Sequence, residues 1–285
     1  MAYPTILVHV ADDARAAERI RLAGQLSARV GGHLIGAGAT GVSRFLYQSM
    51  PPEQNDATLA LHLDFLREQA RTALAAFSAQ CAQNGTPSFE TRIIDDDAGA
   101  GISLHARAAD LVVLGQAAPH AKAGAADLPA HVITHAGRPV LLVPSAGHCA
   151  SVGRRILVSW DGGREAGRAL QLALPLLKDA DEVSIAVFEV ASDEHKAADA
   201  FTADPRPWLA RHAVKASMTL HAVDHHRRLI RRNQIGERLL SLAADVSADL
   251  LVMGGYGHSR IRESLLGGVT RTVLEEMTLP VLMAH

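Results

Sequence analysis

A chain of 285 residues is long enough for about two domains at roughly 150 residues each. It is 48% hydrophobic and 20% charged, with Gly 23 and Pro 12, which excludes disordered, collagen-like and low-complexity classes. Lys+Arg 28 against Asp+Glu 30 leaves a formal charge of -2, so no net positive field gathers nucleic acid or an anionic membrane surface, and a small ligand is the better default.

The N-terminal residues Met1-Ala2-Tyr3-Pro4 run straight into an apolar segment without a basic region or a small-residue cleavage site, so no secretion signal is expected. Strands are expected near 4–10, 33–38, 88–94, 110–114 and 139–143, with helices at about 13–30, 56–83, 99–108 and 126–135 between them. A small, polar linker spans 144–153. Beyond it, strands are expected near 154–160, 182–189, 216–223, 249–253 and 280–284, and helices at about 164–178, 193–212, 234–246 and 268–277. The apolar runs lack period-2 polarity, as in a parallel sheet covered on both faces, and all fall short of the roughly 18 residues of a bilayer span. Cys81 and Cys149 fit neither a disulfide framework nor a metal-site spacing, and cytoplasm is the expected location.

The two halves repeat one another. Ile6-Leu7-Val8-His9-Val10 resembles Ile156-Leu157-Val158-Ser159-Trp160 at an offset of 150, and Ala109-Asp110-Leu111-Val112-Val113-Leu114-Gly115 resembles Ala248-Asp249-Leu250-Leu251-Val252-Met253-Gly254 at an offset of 139. Each half also ends on a Pro-Val-Leu segment, at Pro139 and Pro280. Such a repeat fixes the architecture as two copies of one doubly wound α/β fold, in which ligands bind beyond the carboxyl ends of the strands where the strand order reverses.

At that place in the second half the chain reads Met253-Gly254-Gly255-Tyr256-Gly257-His258-Ser259-Arg260, and closes on Gly267-Gly268-Val269-Thr270. Glycines between a strand end and a helix start expose backbone N–H groups to an anion, and the helix dipole adds about half a positive charge. The alternative is that each glycine only permits a tight turn or close packing.

The spacing Gly254, Gly257, Gly267 resembles the nucleotide loop of the universal stress protein family, G-x2-G-x9-G-(S/T), and the likeness extends over the whole chain as a tandem of two such domains. The expected fold is therefore two tandem, doubly wound, Rossmann-like domains at 1–146 and 153–285, each with five parallel strands in the order 3-2-1-4-5. The resemblance implies ATP, with Mg2+ as an optional companion ion, phosphates near Gly254, Gly257 and the Gly267 turn, and Asp161 against the adenine. Asp161 also suits an Asx turn or helix cap. Gly268 departs from the family pattern, which has Ser or Thr there; its backbone N–H remains, and Thr270 offers a hydroxyl or a cap.

The first half keeps only Gly115 of that pattern. Ala118 replaces the second glycine, Asp127-Leu128-Pro129 replaces the Gly-Gly turn, and Ala11 replaces the strand-end Asp, so this copy reads as a partner domain without nucleotide. His131 and His135 have the i,i+4 spacing of a metal pair but no third ligand beside them, and Asp224-His225-His226 reads as a solvated loop. Arg260 and Arg262 read as solvated or paired with Glu263, with phosphate contact the alternative. The basic run Arg227-Arg228-Leu229-Ile230-Arg231-Arg232 lacks interleaved aromatics and reads as a solvated face.

No Walker A sequence, nucleophile elbow, zinc-protease helix or assignable carboxylate pair is present, so no catalytic residue is named and weak ATP hydrolysis stays open. The leading expectation is a cytoplasmic stress-response or regulatory protein binding an adenine nucleotide in its second domain. Its alternative is a nucleotide-independent interaction protein with a relic loop. An unidentified protein partner, edge-to-edge pairing of the last strands at 140–143 and 281–284, and a possible homo-oligomer complete the expected partners.

Overall fold

The computed structural model describes residues 2–43, 57–117, 127–190, 203–223, 233–257 and 268–285. They form two compact units, Ala2–Arg138 and Pro139–His285. The first contains β1 (Thr5–His9), α1 (Ala16–Arg29), β2 (His33–Ala39), α2 (Ala57–Gln83), β3 (Phe89–Ile94), α3 (Ala98–Ala106), β4 (Leu111–Gly115) and α4 (Leu128–His135). Its strands are parallel in the order β3-β2-β1-β4, with β1 between β2 and β4. Leu111, Val112, Val113 and Leu114 are all buried, which explains their unbroken apolar run: both faces of β4 are covered.

The second unit contains β5 (Val140–Val143), β6 (Arg155–Ser159), α5 (Arg164–Leu172), α6 (Leu174–Asp179), β7 (Glu182–Val190), α7 (Arg206–Arg211), β8 (Ser217–Val223), α8 (Asn233–Asp245), β9 (Leu250–Gly254), α9 (Gly268–Glu276) and β10 (Val281–Ala284). Here the parallel order is β8-β7-β6-β9-β10, which is the doubly wound order 3-2-1-4-5. On its other edge β10 pairs with β5 antiparallel, in the register Val281 to Leu142, Leu282 to Leu141 and Met283 to Val140. The expected pairing of these strands is present, and it satisfies backbone groups of two fully buried apolar strands that would otherwise form sheet edges.

The repeated Ala-Asp-Leu sequence has a mechanical role in both units. Asp110 accepts a hydrogen bond from the Thr5 N–H at 2.9 Å, tying the start of β4 to the start of β1. In the second unit Asp249 accepts from the N–H groups of Gly153, Arg154 and Arg155 at 2.8 to 3.1 Å, and from Ser151 Oγ at 2.6 Å.

Two expected helices differ. The helix expected at 164–178 divides into α5 and α6, because Pro175 lacks the N–H that would bond back to Gln171 and instead starts a new helix. Of the helix expected at 193–212, the described part from 203 is helical only from Arg206: Asp204 accepts from the Arg206 N–H at 2.9 Å, and Pro205 restarts the chain. Residues 191–202 lie outside the described residues.

Candidate functional site

The strand order of the second unit reverses between β6 and β9, which lie side by side through Ile156 to Leu250, Leu157 to Leu251 and Val158 to Val252. The turn after β6 carries Asp161, and β9 ends on Gly254. Asp161 Oδ1 accepts from the Gly163 N–H at 2.8 Å while Gly162 takes φ 73, a left-handed turn that glycine enters without strain. This is an Asx turn leading into α5, and Asp161 is exposed on it, with its Oδ1 accepting from the Gly163 N–H.

Gly254 packs against the first turn of α5. A Cβ at Gly254 would stand 2.6 Å from both the Ala166 nitrogen and the Glu165 carbonyl carbon, so only glycine lets β9 and α5 approach this closely. Three residues on, a Cβ at Gly257 would stand 2.8 Å from Glu165 Oε2. Between them Tyr256 adopts φ 61, and its N–H donates to Thr270 Oγ1 at 3.3 Å. Thr270 is buried in the first turn of α9, so its hydroxyl fastens the loop to that helix. Gly255 donates to the Ala284 carbonyl at 2.9 Å and, through its own carbonyl, meets His285 Nδ1 at 3.0 Å.

The structure thus brings Gly254, Gly257 and Thr270 into one loop and helix assembly, and places Asp161 on the turn that opens α5. Gly268 is the first residue of α9 and its carbonyl accepts from Thr272 Oγ1 at 2.9 Å. The carbonyl of Val269 faces Gly236 of α8 at 3.2 Å from a Cβ placed there. Gly267, with His258, Ser259, Arg260, Arg262 and Glu263, lies outside the described residues, as do Ala118 and the segment 224–232.

Glu165 was not singled out by sequence reasoning. It is 9% exposed, and its Oε1 accepts from Arg164 Nη2 at 2.8 Å. Burial pushes its carboxyl up, but the Arg164 hydrogen bond, its own backbone N–H and the charges of Arg164 and His285 outweigh burial and hold it below the usual carboxylate value. Its place in the first turn of α5 adds the favourable end of the helix dipole. The missed signal was periodicity: Glu165 shares the buried stripe of Ala166, Ala169 and Leu170, where an acid is out of place.

The equivalent place in the first unit is filled differently. Arg19, 2% exposed, donates from Nε to the His9 carbonyl at 2.8 Å and from Nη2 to Asp13 Oδ2 at 2.7 Å. Its Nη1 stands 2.7 Å from where a Cβ of Gly115 would be. A cation with its own carboxylate therefore occupies the ends of β1 and β4. Asp127 precedes α4 without a side-chain cap bond, and Pro129 lies in its first turn. His131 and His135 stack, with ring centroids 4.2 Å apart and planes 9° from parallel, and His135 Nδ1 lies 2.9 Å from the His131 carbonyl; the rings lie face on face rather than converging on a point.

Residues 153–285 match the model of the universal stress protein family. Among curated proteins, the chain is 29% identical over 178 residues to universal stress protein Slr1230 of Synechocystis sp., covering 61% of this chain and 57% of that protein. It is 36% identical over 47 residues to universal stress protein MJ0577 of Methanocaldococcus jannaschii, covering 16% of this chain and 29% of that protein. The chain thus matches under two thirds of the length of either relative. Over its whole length it shares the fold of a universal stress protein from Archaeoglobus fulgidus, with a TM-score of 0.74 at 14% identity, covering 100% of this chain and 99% of that one. The likeness to the universal stress protein family model is therefore confined to residues 153–285, while the α/β fold of such a protein extends over both halves of the chain.

Proposed function

We propose that this protein binds one adenine nucleotide, ATP or a close relative, in a functional domain at 153–285, and that the domain at 1–146 serves as its nucleotide-free partner. The observation that supports this most is the convergence at one strand-order reversal of Asp161, after β6, with Gly254 and Gly257, after β9. Gly267, Gly268, Val269 and Thr270 complete the assignment: backbone N–H groups at the start of α9 receive phosphate, and the Asp161 carboxylate contacts the adenine. In the first domain Arg19 and Asp13 fill the corresponding crevice, which favours a single site. No side chain is assigned to catalysis. The biological role that fits is a cytoplasmic stress-response or regulatory switch whose state follows nucleotide occupancy.

A second reading has specific support. Asp161 closes its own turn, Thr270 holds the Tyr256 N–H, and the Glu165 carboxylate lies against Gly257, so each group has a structural use without ligand. On that reading the loop is a relic in an interaction protein. The two separate on denaturing the purified chain and identifying released small molecules by mass spectrometry. An adenine nucleotide in the extract supports the first. An empty extract, together with no binding on adding ATP, supports the second.

A further inference from the structure

We propose that Glu165 sets the phosphate-charge selectivity of this site, disfavouring metal-free polyphosphates relative to less charged adenine compounds. The inference rests on the adenine-nucleotide reading above and adds a residue outside the glycine loop and the strand-end Asp. Its ground is the position of Glu165 Oε2, which fills the space that a side chain at Gly257 would need, 2.8 Å from an ideal Cβ. Any phosphate oxygen brought to the Gly257 backbone comes within a few ångströms of that carboxylate.

Among the described residues, the compensation available to Glu165 is internal and partial. Arg164 reaches Oε1 rather than Oε2, and with its side chain 79% exposed its charge is shared with water. His285 adds charge only in its protonated form, and its Nδ1 is engaged at the Gly255 carbonyl. The positive end of α5, which would otherwise favour an incoming anion, already faces the Glu165 carboxylate in its first turn. Desolvation on ligand binding strengthens the remaining repulsion, since charges removed from water are less screened. Each added phosphate charge therefore meets a fixed negative charge that adenosine does not.

The test is calorimetric titration of the native chain and Glu165→Gln with adenosine, AMP and ATP, all in excess chelator. Glu165→Gln keeps the shape and removes the charge. The expected result is a gain that grows with ligand charge: adenosine affinity unchanged within about twofold, and ATP affinity raised at least about fivefold. Retained adenosine binding also reports an intact fold. Should Glu165→Gln fail to fold, Glu165→Asp retracts the carboxylate by one methylene and is expected to raise the ATP-to-adenosine affinity ratio by a smaller factor. An unchanged or lowered ratio in the variant that folds overturns the role of Glu165 and leaves the binding reading standing. Failure of the native chain to bind any of the three overturns that reading, and this inference with it.

Discussion

Arg19 and Gly115 meet at the carboxyl end of the first unit's sheet, where the guanidinium Nη1 lies 2.7 Å from the position of a glycine Cβ. Arg19 is fixed there by Asp13 and by the His9 carbonyl. An internal ion pair thus occupies the strand ends of the first copy. Arg19→Met preserves volume but takes the guanidinium from the His9 carbonyl and from Asp13, which keeps the Arg15 N–H at 2.9 Å. It should destabilise the chain by about 2 to 3 kcal/mol, toward the lower end because Asp13 is 41% exposed. Urea unfolding measures this, and a change below about half a kcal/mol would show that Arg19 merely fills space.

The same cluster makes stability depend on pH. Burial, then the Arg19 charge, push the His9 imidazole down to about 4 from its ordinary 6.5. Between those values the unfolded chain binds a proton that the folded chain refuses, so stability is full above about pH 6.5 and falls as pH drops toward 4. Asp13, held low chiefly by Arg19 against the opposing effect of burial, adds a loss of the same sign at still lower pH. His9→Gln should flatten the dependence between pH 6.5 and 4, as read from unfolding midpoints; an equally steep curve would place the titrating group elsewhere.

Gly254→Ala tests the contact between β9 and α5. Its Cβ would meet backbone atoms of Glu165 and Ala166, which cannot rotate aside, so a loss of about 1 to 3 kcal/mol is expected. Thermal unfolding of the variant at native-like levels would show that the helix can shift.

The Asp249 clamp is expected to matter more than its counterpart. Asp249→Ala strands the N–H groups of Gly153, Arg154 and Arg155 and the Ser151 hydroxyl, at a cost of about 2 to 4 kcal/mol. Asp110→Ala removes the acceptor of the Thr5 N–H and should cost about half as much. Equal losses would contradict the assignment.

The halves, their strands and the strand order were legible because they rest on redundant signals: Leu111 to Leu114 and Leu250 to Met253 are buried on both faces, so every position reports the same thing. Pro175 was legible only in hindsight, since a proline in a helical pattern kinks or restarts a helix according to its surroundings. Glu165 and Arg19 were not legible. Each sits on an apolar stripe, but what excuses the charge is a partner or a glycine brought up by the fold: Gly257 from a strand end 92 positions further along the chain for Glu165, and Gly115 for Arg19. Thr270 was noticed as a hydroxyl near the loop, while its bond to Tyr256 N–H depends on a left-handed backbone that no spacing rule supplies.

The most direct test of single-site nucleotide binding is calorimetry with ATP on the native chain, Gly257→Asp and Arg19→Met. The account predicts one site per chain, native-like affinity for Arg19→Met under conditions where it remains folded, and at least about tenfold weaker binding for Gly257→Asp, whose carboxylate would face both the phosphates and Glu165. Two sites per chain, undiminished affinity in Gly257→Asp, or no binding by the native chain would contradict it.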